Sequence, residues 1–599
     1  MIMNSTPPYR FGMPNPTLGY LKGFLASRGI QVSNVYWNLV LAPEIMNFEL
    51  RMREFHPIFR SLPLFYTTTI FVTRRLLKKD SKKTPIDIAF SSFLRENEIS
   101  KMIDSVREKI DYYIQHNNLH EENIAGFSLK THQWIMGSYI ISRLKEMNPD
   151  IRILIGGIIN EEQARVFMNL FNLVDYAIWG EGEIPLVQLS RALHEEKDLR
   201  NVPNLVYRND GRICSTFPNS DYPPLDSYPY ADHSDFFGIL NHVGFKPQLT
   251  LPIWGSRSCP WNQCKFCVEN EEYIYRVRSP KNIVGEIEFQ AEKYGINSFF
   301  FLDTELPGNR ERFKILLELL VQLSSKSGEP YSYFGETSPV FIDAEAVRYM
   351  NAAHFVSLQM GFEATSDRLL EKMLKVHRFA HNIQALKICS QYRLKVSGVN
   401  IIRGIPTETE EDILESCENV RFLRFLLREH ALNAIDFVLF KGSAFYEEMT
   451  EKERKAWNFH RLWEEIELLG LIPYSHRFEV SSFFRDRKYH HLWDDFDMAV
   501  EFFLQNPCSY KWITYSNGSM VIEDGPMARR YKLSSNETGL LTFCDTVRSL
   551  SDLKKRFRGL CEEEILKMLD DLQAIGLLYY DRHFRTIISV LEAHKQVCV

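Results

Sequence analysis

The sequence predicts an α/β protein with three folded units: an N-terminal doubly wound sheet, a partial (β/α)6 barrel and a C-terminal helical, winged-helix-like domain. Short apolar runs alternate with amphipathic stretches over residues 1–200 and again over 251–440. This alternation is typical of parallel strands joined by helices. Glycines or charged residues follow most of the runs, which places them at the strand ends where such folds bind ligands.

Composition and length limit the class of protein. A chain of 599 residues is long enough for about three or four domains. Its net charge of −6 gives no general positive field, so we expect no nucleic-acid partner. No apolar run approaches the ~20 residues of a membrane span, and residues 1–12 lack a signal-peptide pattern. Ten cysteines, most of them scattered, indicate a reduced, cytoplasmic protein without a disulfide framework.

The N-terminal unit is expected over residues 1–200. Strands are predicted at 30–37, 124–128, 151–155 and 175–179, and glycine turns follow the last two. Residues 201–250 are rich in proline, aspartate, tyrosine and asparagine, and this composition predicts a linker between domains.

The barrel is expected over residues 251–440. Ser279 and Pro280 predict the start of a helix over 282–294, with serine as N-cap and proline at the first helical position, and Gly295 is expected to end it. Further strands are predicted at 298–302, 331–334, 356–360, 395–402 and 435–439. Residues 441–530 are predicted to be a mixed helical extension with a helix around 451–469, and residues 531–599 to be the winged-helix-like domain of three helices and a hairpin.

The most informative stretch is Cys259-Pro-Trp-Asn-Gln-Cys264-Lys-Phe-Cys267. Three thiolates bind three irons of a [4Fe–4S] cube and leave the fourth iron open, whereas electron-transfer clusters normally close all four irons with cysteine. An open iron can bind a substrate or cofactor, so this cluster is expected to do chemistry. The alternatives are structural zinc, for which no second cysteine pair or nearby histidine is present, and unrelated core cysteines. The remaining cysteines are expected to be buried apolar residues: Cys214, Cys389, Cys417, Cys508, Cys544, Cys561 and Cys598.

The cysteine trio, with an aromatic residue before its last member, resembles the cluster loop of the radical S-adenosylmethionine (SAM) superfamily. The resemblance implies a radical SAM barrel that binds SAM at the open iron and cleaves it to a 5′-deoxyadenosyl radical. It also implies SAM contacts from strand-end residues, of which Glu336 would accept the ammonium group. The alternative is that these side chains form structural ion pairs. The implied SAM-binding residues are Asp303, Glu336, Gln359, Glu363 and Asn400.

One departure from the superfamily pattern lies within the loop. The usual loop has three residues between its first two cysteines, whereas four separate Cys259 from Cys264. We therefore expect the loop to bulge between these two residues.

The N-terminal unit resembles the cobalamin-binding domain found before many radical SAM enzymes. No Asp-x-His-x-x-Gly motif is present to offer a histidine to cobalt, and His132, near the corresponding loop, is more typical of a polar residue at a helix start. The alternative is a sheet that binds no cofactor and only supports the barrel. The residues implied to bind cobalamin are Gly126, Ser128, Gly156, Gly157, Gly180 and Glu181.

The order of the units resembles that of cobalamin-dependent radical SAM enzymes that mature ribosomally made peptides. This implies C-methylation of an unactivated carbon in a peptide through a 5′-deoxyadenosyl radical and methylcobalamin, with a flavodoxin or ferredoxin as electron donor. Two alternatives are open: another radical reaction, such as cyclisation, rearrangement or thioether formation, and a non-catalytic sensor that binds cobalamin or a cluster. The C-terminal domain would dock a leader peptide or substrate, or serve as a structural lid or dimer element.

Overall fold

We describe a computed structural model of the protein that covers residues 1–7, 9–55, 97–130, 133–244, 246–326, 330–430, 432–459, 482–484, 489–526, 528–583 and 585–598. Two large sheets follow one another along the chain, and smaller sheets lie in its last third. Within the described part of the chain, no helix has the length and the apolar character that crossing a membrane requires.

The first sheet has seven strands in the order β2-β1-β3-β4-β5-β6-β7. The strands from β2 to β5 are parallel neighbours, and β6 and β7 continue the sheet antiparallel. The strands are β1 Ile2–Ser5, β2 Ser33–Tyr36, β3 Ile124–Ser128, β4 Arg152–Ile158, β5 Tyr176–Trp179, β6 Leu205–Asn209 and β7 Arg212–Ser215.

Helices cover both faces of this sheet. Apolar side chains of Pro16–Ala26 and Glu183–His194 bury one face, and those of Trp134–Met147 and Glu161–Leu170 bury the other. The sheet is therefore doubly wound, as the alternation of apolar runs predicted. The remaining helices of this part of the chain are Trp37–Val40, Ala42–Phe55, Asn97–His116 and Ser234–Leu240.

Two features of the first sheet differ from the prediction. Strand β1, which lies between β2 and β3, comes from residues that the sequence left unassigned, because only six residues precede the Pro-Pro segment. Strands β6 and β7 lie within the predicted linker, 201–250, so the linker prediction is wrong for residues 205–215. Burial explains the second error, because β6 packs Leu205 and Val206 into the core although its surroundings are polar.

The second sheet has six parallel strands in the order β15-β14-β13-β12-β11-β8. Each strand lies beside the strand of this sheet that follows it along the chain, which is the order of an open (β/α) barrel. The strands are β8 Leu251–Ile253, β11 Ser298–Phe301, β12 Ser332–Thr337, β13 Phe355–Glu363, β14 Val396–Arg403 and β15 Leu432–Asp436, and a small hairpin, β9 Ser256–Arg257 with β10 Arg276–Val277, follows β8.

The helices of this region alternate with its strands. The Ser279 hydroxyl accepts a hydrogen bond from Asn282 N at 3.2 Å, Pro280 occupies the first turn, and Gly295 ends the helix at a φ of 67°. The predicted helix start and end are thus confirmed. The helices are Glu269–Glu272, Pro280–Tyr294, Arg310–Lys326, Ala344–Ala352, Asp367–Lys372, Phe379–Gln391 and Glu410–Asn419.

Residues 441–530 are less helical than predicted. Strands β19 Ser509–Tyr515 and β20 Gly518–Asp524 form a hairpin across the turn Ser516-Asn517, so the prediction of a helical extension is wrong there. Of the helix predicted at 451–469, the structure describes Glu451–Arg454 as helix and Asn458–Phe459 as a strand, and residues 460–481 lie outside the described part of the chain. The other elements are helices Ala444–Glu447 and His490–Gln505 and strands β16 Leu439–Phe440, β17 Asn458–Phe459 and β18 Ser482–Phe484.

The C-terminal region contains the predicted three helices and hairpin. Helices Ser535–Phe543, Leu550–Arg556 and Glu562–Ala574 precede the hairpin of β23 Leu578–Asp581 and β24 Thr586–Ser589. The remaining strands are β21 Arg530–Ser534, which pairs with β20, β22 Arg548–Ser549, which pairs with β24, and β25 Gln596–Cys598, which pairs with β19.

Buried polar contacts attach the C-terminal region to the second sheet and its helices. The Arg424 guanidinium donates to both carboxylate oxygens of Glu523, at 2.9 and 3.2 Å. Tyr579 donates its hydroxyl hydrogen to Asp367 Oδ2 at 2.9 Å. The hairpin that would be the wing of a winged helix is thus anchored to the second unit.

Candidate active site

The three cysteines lie on one loop after strand β9. All three side chains are half-buried, and the Cys267 amide donates to the Cys264 carbonyl at 3.1 Å. Asn262, within the four-residue gap, has a φ of 50°, a left-handed conformation that asparagine tolerates better than most residues. The extra residue is therefore accommodated by a local turn, as the predicted bulge requires.

The loop is held from the side by the segment that follows helix Asp367–Lys372. Trp261 Nε1 donates to the Leu374 carbonyl at 2.8 Å, and the Lys265 amide donates to the Met373 carbonyl at 3.1 Å. These bonds fix the loop on both sides of Cys264.

Three thiols on one loop suit a [4Fe–4S] cube, which takes each cysteine at a different iron, whereas structural zinc takes four ligands. Among the described residues, no three His, Cys, Asp or Glu side chains are grouped to hold one metal ion. Burial raises the pKa of Cys264 to about 12 and also raises the pKa values of Cys259 and Cys267. Metal ligation would supply the positive charge that keeps these thiolates deprotonated.

Asp303 supports the start of the cluster loop. Its side chain is buried, and its two oxygens accept from the Gly255 amide at 2.9 Å and the Ser256 hydroxyl at 2.7 Å. The resemblance implied a SAM contact for Asp303, but the protein itself occupies this carboxylate. The structure instead makes Asp303 a positioning residue for the strand that leads to Cys259.

Glu336 lies at the end of β12 in an acidic environment. Burial, together with the charges of Glu363, Glu269 and Glu305, raises the pKa of Glu336 to about 7. A cationic ligand would relieve this repulsion and favour the ionised carboxylate. The position therefore fits the predicted role of accepting the SAM ammonium group.

Glu363 is paired with a lysine that the sequence did not single out. Lys375 Nζ lies 3.1 Å from Glu363 Oε1 and 5.7 Å from the centroid of the Phe266 ring, beside Cys267. Burial alone lowers the pKa of Lys375, but the charges of Glu363 and of the nearby Cys264 raise it above its ordinary value. A positive charge thus stays beside the cluster loop.

Glu305 is a second residue that sequence reasoning missed. Its carboxylate accepts from the Thr337 hydroxyl at 3.1 Å and from the Ser338 amide at 3.1 and 3.2 Å, and it is buried. Burial raises its pKa. The only sequence signal was an acidic residue two positions after Asp303 at the same strand end.

Gln359 and Asn400 are half-buried on neighbouring strands. Gln359 pairs with Glu336 on one side and with Gly398 on the other. A Cβ at Gly398 would lie 3.0 Å from Gln359 Cγ, so the glycine leaves room for this side chain. Gln359 thus lies on the strand next to that of Glu336, and Asn400 lies one strand further along the sheet.

A narrow cavity of about 60 Å³ opens at the ends of the first sheet's strands. Five of the six residues implied to bind cobalamin line it: Ser128, Gly156, Gly157, Gly180 and Glu181. Gly126 does not, and its implied role is not supported: a Cβ there would lie 2.2 Å from Met3 Sδ. Gly126 serves the contact between neighbouring strands. His132 lies outside the described residues.

The glycines of this cavity have different roles. No atom lies within 4 Å of a Cβ built at Gly156, so its missing side chain leaves open space. Gly157 has a φ of 81°, and a Cβ there would lie 2.9 Å from the Leu129 carbonyl oxygen. Gly156 therefore keeps the cavity open, and Gly157 permits the turn.

A larger cavity of about 370 Å³ joins the two halves of the site. Its walls include Thr17, Ser128 and Lys130 from the first unit and Trp254, Ser258 and Thr304 from the second. Six residues border both this cavity and the narrow one: Thr17, Ser128, Lys130, Trp254, Arg257 and Tyr273. The ends of both sheets thus face one space.

Arg257, a residue that sequence reasoning missed, links the start of the cysteine loop to the loop that follows β5. Arg257 lies two residues before Cys259. Its guanidinium contacts Glu181 at 3.0 Å and Glu183 at 3.2 Å. An arginine that close to the cysteine trio was the available signal. Its partners are remote in sequence, so only the tertiary structure identifies the pair.

The scattered cysteines follow the expectation in part. Cys389, Cys508 and Cys544 are buried, Cys214 and Cys417 are half-buried, and Cys561 is exposed. Cys561 precedes helix Glu562–Ala574, where its amide donates to the Glu564 carboxylate at 2.7 Å. The expectation of a buried apolar residue is therefore wrong for Cys561.

Comparison with known families decides the class of the second unit. Residues 255–420 match the model of the Radical SAM superfamily. This part of the chain is a radical SAM domain. Domains of this superfamily work with a [4Fe–4S] cluster and SAM. The three thiols agree with the cluster, and the carboxylate of Glu336 at its strand end agrees with SAM.

Two relatives extend the similarity beyond this domain. The chain is 24% identical over 340 residues to the uncharacterized methyltransferase PH0819 of Pyrococcus horikoshii, covering 55% of this chain and 71% of that protein. It is 24% identical over 319 residues to the anaerobic magnesium-protoporphyrin IX monomethyl ester cyclase of Cereibacter sphaeroides, covering 51% of each. The chain thus spans only about half the length of the cyclase.

One solved structure shares the fold of most of the chain. It is that of the radical SAM methyltransferase TsrM from Kitasatospora setae with cobalamin and a [4Fe–4S] cluster bound. It covers 83% of this chain and 90% of its own, with a TM-score of 0.55 and 14% sequence identity. At this identity the similarity concerns the fold.

Proposed function

We propose that this radical SAM enzyme is a cobalamin-dependent methyltransferase. The observation that carries the proposal is the cavity of about 370 Å³, which is bordered by strand-end residues of the first sheet and by Ser258, the residue before Cys259. A methyl carrier in the first sheet and SAM at the cluster would then act on one substrate between them. The fold shared with TsrM, a methyltransferase with cobalamin and a cluster bound, supports the same arrangement.

The residues around the cavity have distinct roles in this proposal. Cys259, Cys264 and Cys267 hold the cluster, Glu336 accepts the SAM ammonium, and Gly156 leaves space for cobalamin. When bound, the cofactors supply a radical that activates a carbon with no acidic hydrogen and a methyl group to place on it. The protein orients these groups and excludes water from them.

The described residues that line the two cavities would offer a bound cobalamin no histidine. None of the described residues that line either cavity is a histidine. Ser128 and Lys130 lie at the strand end instead and offer polar contacts to the corrin and its amide side chains. We therefore assign this cobalamin no histidine ligand from the described residues.

The substrate in this proposal is a peptide that is methylated at an unactivated carbon, in the cytoplasm, with a flavodoxin or ferredoxin as electron donor. The order of the units supports it, since it resembles that of peptide-maturing enzymes. The tryptophan substrate of TsrM in a further structure of that protein is consistent with an amino-acid side chain as acceptor.

Anaerobic reconstitution tests the enzyme and cofactor assignments. The wild-type protein is expected to bind a [4Fe–4S] cluster and hydroxocobalamin and, once reduced, to convert SAM to 5′-deoxyadenosine and S-adenosylhomocysteine. A Cys259/Cys264/Cys267→Ala variant should keep cobalamin binding and lose both products. A wild-type protein that binds no cobalamin would overturn the proposal, and an enzyme that converts SAM without transferring methyl to any candidate peptide would overturn its peptide part.

Ring closure is a second candidate, because the chain is also similar to a cyclase. Mass spectrometry of the product separates the two reactions. Methylation adds the mass of a CH2 group, whereas oxidative ring closure removes two hydrogens. A product lighter than its substrate would favour ring closure.

A further inference from the structure

Arg257 forms a buried charge network between the two halves of the site. Its side chain is 6% exposed, and those of Glu181 and Glu183 are 4% and 5% exposed. Arg276, opposite Arg257 in the β9–β10 hairpin, also pairs with Glu181. The guanidinium carbon of Arg257 lies 4.7 Å from the centroid of the Trp254 ring. The network therefore has both charge partners and an aromatic wall.

Its two ends belong to different cofactor loops. Glu181 and Glu183 follow β5 and line the narrow cavity of the first sheet. Arg257 is joined to Cys259 through Ser258 alone, whose φ of 63° fixes an uncommon backbone conformation. A displacement of the loop after β5, here called the first-sheet loop, would therefore move Arg257, and Arg257 would move Cys259 through Ser258.

Stability alone does not explain a buried network of this kind. Taking these charges out of water costs several kcal/mol per ion, and apolar side chains of similar volume often replace such pairs without loss of stability. Burial alone raises the pKa of Glu183, but the Arg257 guanidinium lowers it below its ordinary range, so the pair is ionised. Unlike an apolar contact, a charged pair makes directional hydrogen bonds, which fix how its two partners are oriented.

We propose that Arg257 is a positioning residue that couples the two cofactor sites: its pairs with Glu181 and Glu183 set the cluster loop against the first-sheet loop, so that filling one site strengthens binding at the other. This inference rests on the proposed function, because it requires cobalamin in the first sheet. Coupling between two sites is reciprocal. The affinity for cobalamin, measured with and without the cluster, therefore reports the coupling.

The test measures the dissociation constant of hydroxocobalamin by equilibrium dialysis under anaerobic conditions. Each protein is studied with its cluster reconstituted and again after the iron has been removed by a chelator. In the wild type, the cluster is expected to tighten hydroxocobalamin binding about fivefold or more. In Arg257→Lys, which cannot make two parallel bonds to carboxylates, this ratio should fall to about twofold or less, while iron content stays at the wild-type level.

Glu183→Gln provides a second variant with Arg257 intact, and it tests the pair if Arg257→Lys folds poorly. Arg424→Lys is the matched control, since Arg424 makes an equally buried two-contact pair with Glu523 at another interface; it should keep the wild-type ratio. A ratio near one in the wild type, or a wild-type ratio in both test variants, overturns the coupling and leaves the methyltransferase proposal standing. A wild type that binds no hydroxocobalamin overturns both.

Discussion

Tyr579 donates its hydroxyl hydrogen to Asp367 Oδ2 at 2.9 Å across the boundary between the C-terminal hairpin and the helix Asp367–Lys372. The other carboxylate oxygen of Asp367 accepts from the Phe379 amide at 2.6 Å. Both contacts are buried. This carboxyl group thus connects the C-terminal hairpin with two helices of the second unit, and its protonation state affects all three.

Stability should fall with rising pH because of Asp367. Burial raises the pKa of Asp367 from 3.8 to about 7. Between these values the folded protein keeps a proton that the unfolded chain has lost, so the free energy of unfolding decreases as pH rises through this window and levels off above it. The effect is of the order of a few kcal/mol. The stability of Asp367→Asn relative to wild type should therefore increase from pH 5 to pH 8. Thermal or urea unfolding of both proteins at the two pH values measures this difference.

The control for this prediction is Asp343→Asn, which alters a carboxylate that caps the helix Ala344–Ala352 near the surface. Its difference from wild type should be similar at the two pH values. If Asp367→Asn showed the same constant difference, Asp367 would not carry the pH dependence.

SAM affinity should depend on pH through Glu336. Since the pKa of Glu336 is raised to about 7, the carboxylate is mostly neutral at pH 6 and mostly charged at pH 8. Glu336→Gln should weaken SAM binding roughly tenfold at pH 8, the effect of one charge-assisted hydrogen bond, and only about twofold at pH 6. Equilibrium binding of SAM to the reconstituted proteins gives both values, and the ratio of variant to wild type cancels the titration of SAM itself. A ratio that does not change with pH would remove Glu336 from the SAM site.

Filling the space at Gly156 should block cobalamin without unfolding the protein. A Cβ at this position meets no atom within 4 Å, so Gly156→Leu projects into the cavity rather than into the core. We expect hydroxocobalamin affinity to fall at least tenfold, while iron content and the unfolding temperature stay near the wild-type values. Gly238→Leu, also in open space but not among the residues that line either cavity, is the matched control. Unchanged hydroxocobalamin binding in Gly156→Leu would place cobalamin elsewhere.

Removing Asp303 should loosen the cluster loop. Asp303→Ala leaves the Gly255 amide and the Ser256 hydroxyl without their buried acceptor, at a cost of about 1–3 kcal/mol for each group. The iron and sulfide content after reconstitution should fall, and Asp303→Asn, which keeps one acceptor oxygen, should lose less. Asp175→Ala is the control, because Asp175 accepts from the Ile153 amide at 2.7 Å in the first sheet. Equal iron loss in both alanine variants would show that the effect is not specific to the loop.

Local signals in the sequence predicted the parts of the fold that depend on neighbouring residues. Ser279, Pro280 and Gly295 defined a helix because capping and backbone preference act within one turn. The cysteine trio defined the cluster loop for a similar reason, since its three ligands lie close together along the chain. Most of the parallel strands were predicted correctly because buried strands are continuous apolar runs.

The rest depends on contacts between distant residues. The edge strands β6 and β7 have the composition of a linker, and only pairing with β5 makes them a sheet. Arg257 and Lys375 acquire their roles from partners on other elements. Asp303 shows the converse case: its position at a strand end was predicted correctly, but the neighbouring backbone occupies its carboxylate.

The exposed thiol of Cys561 has a practical consequence for handling the protein. It lies on the C-terminal domain, whereas the other cysteines with described side chains are half-buried or buried. In air, two molecules can join through this thiol in a disulfide, and the product would have the mass of a dimer without any native interface. Cys561→Ser should abolish that species and leave the three cluster ligands in place. The native oligomeric state can then be measured without disulfide-linked dimers.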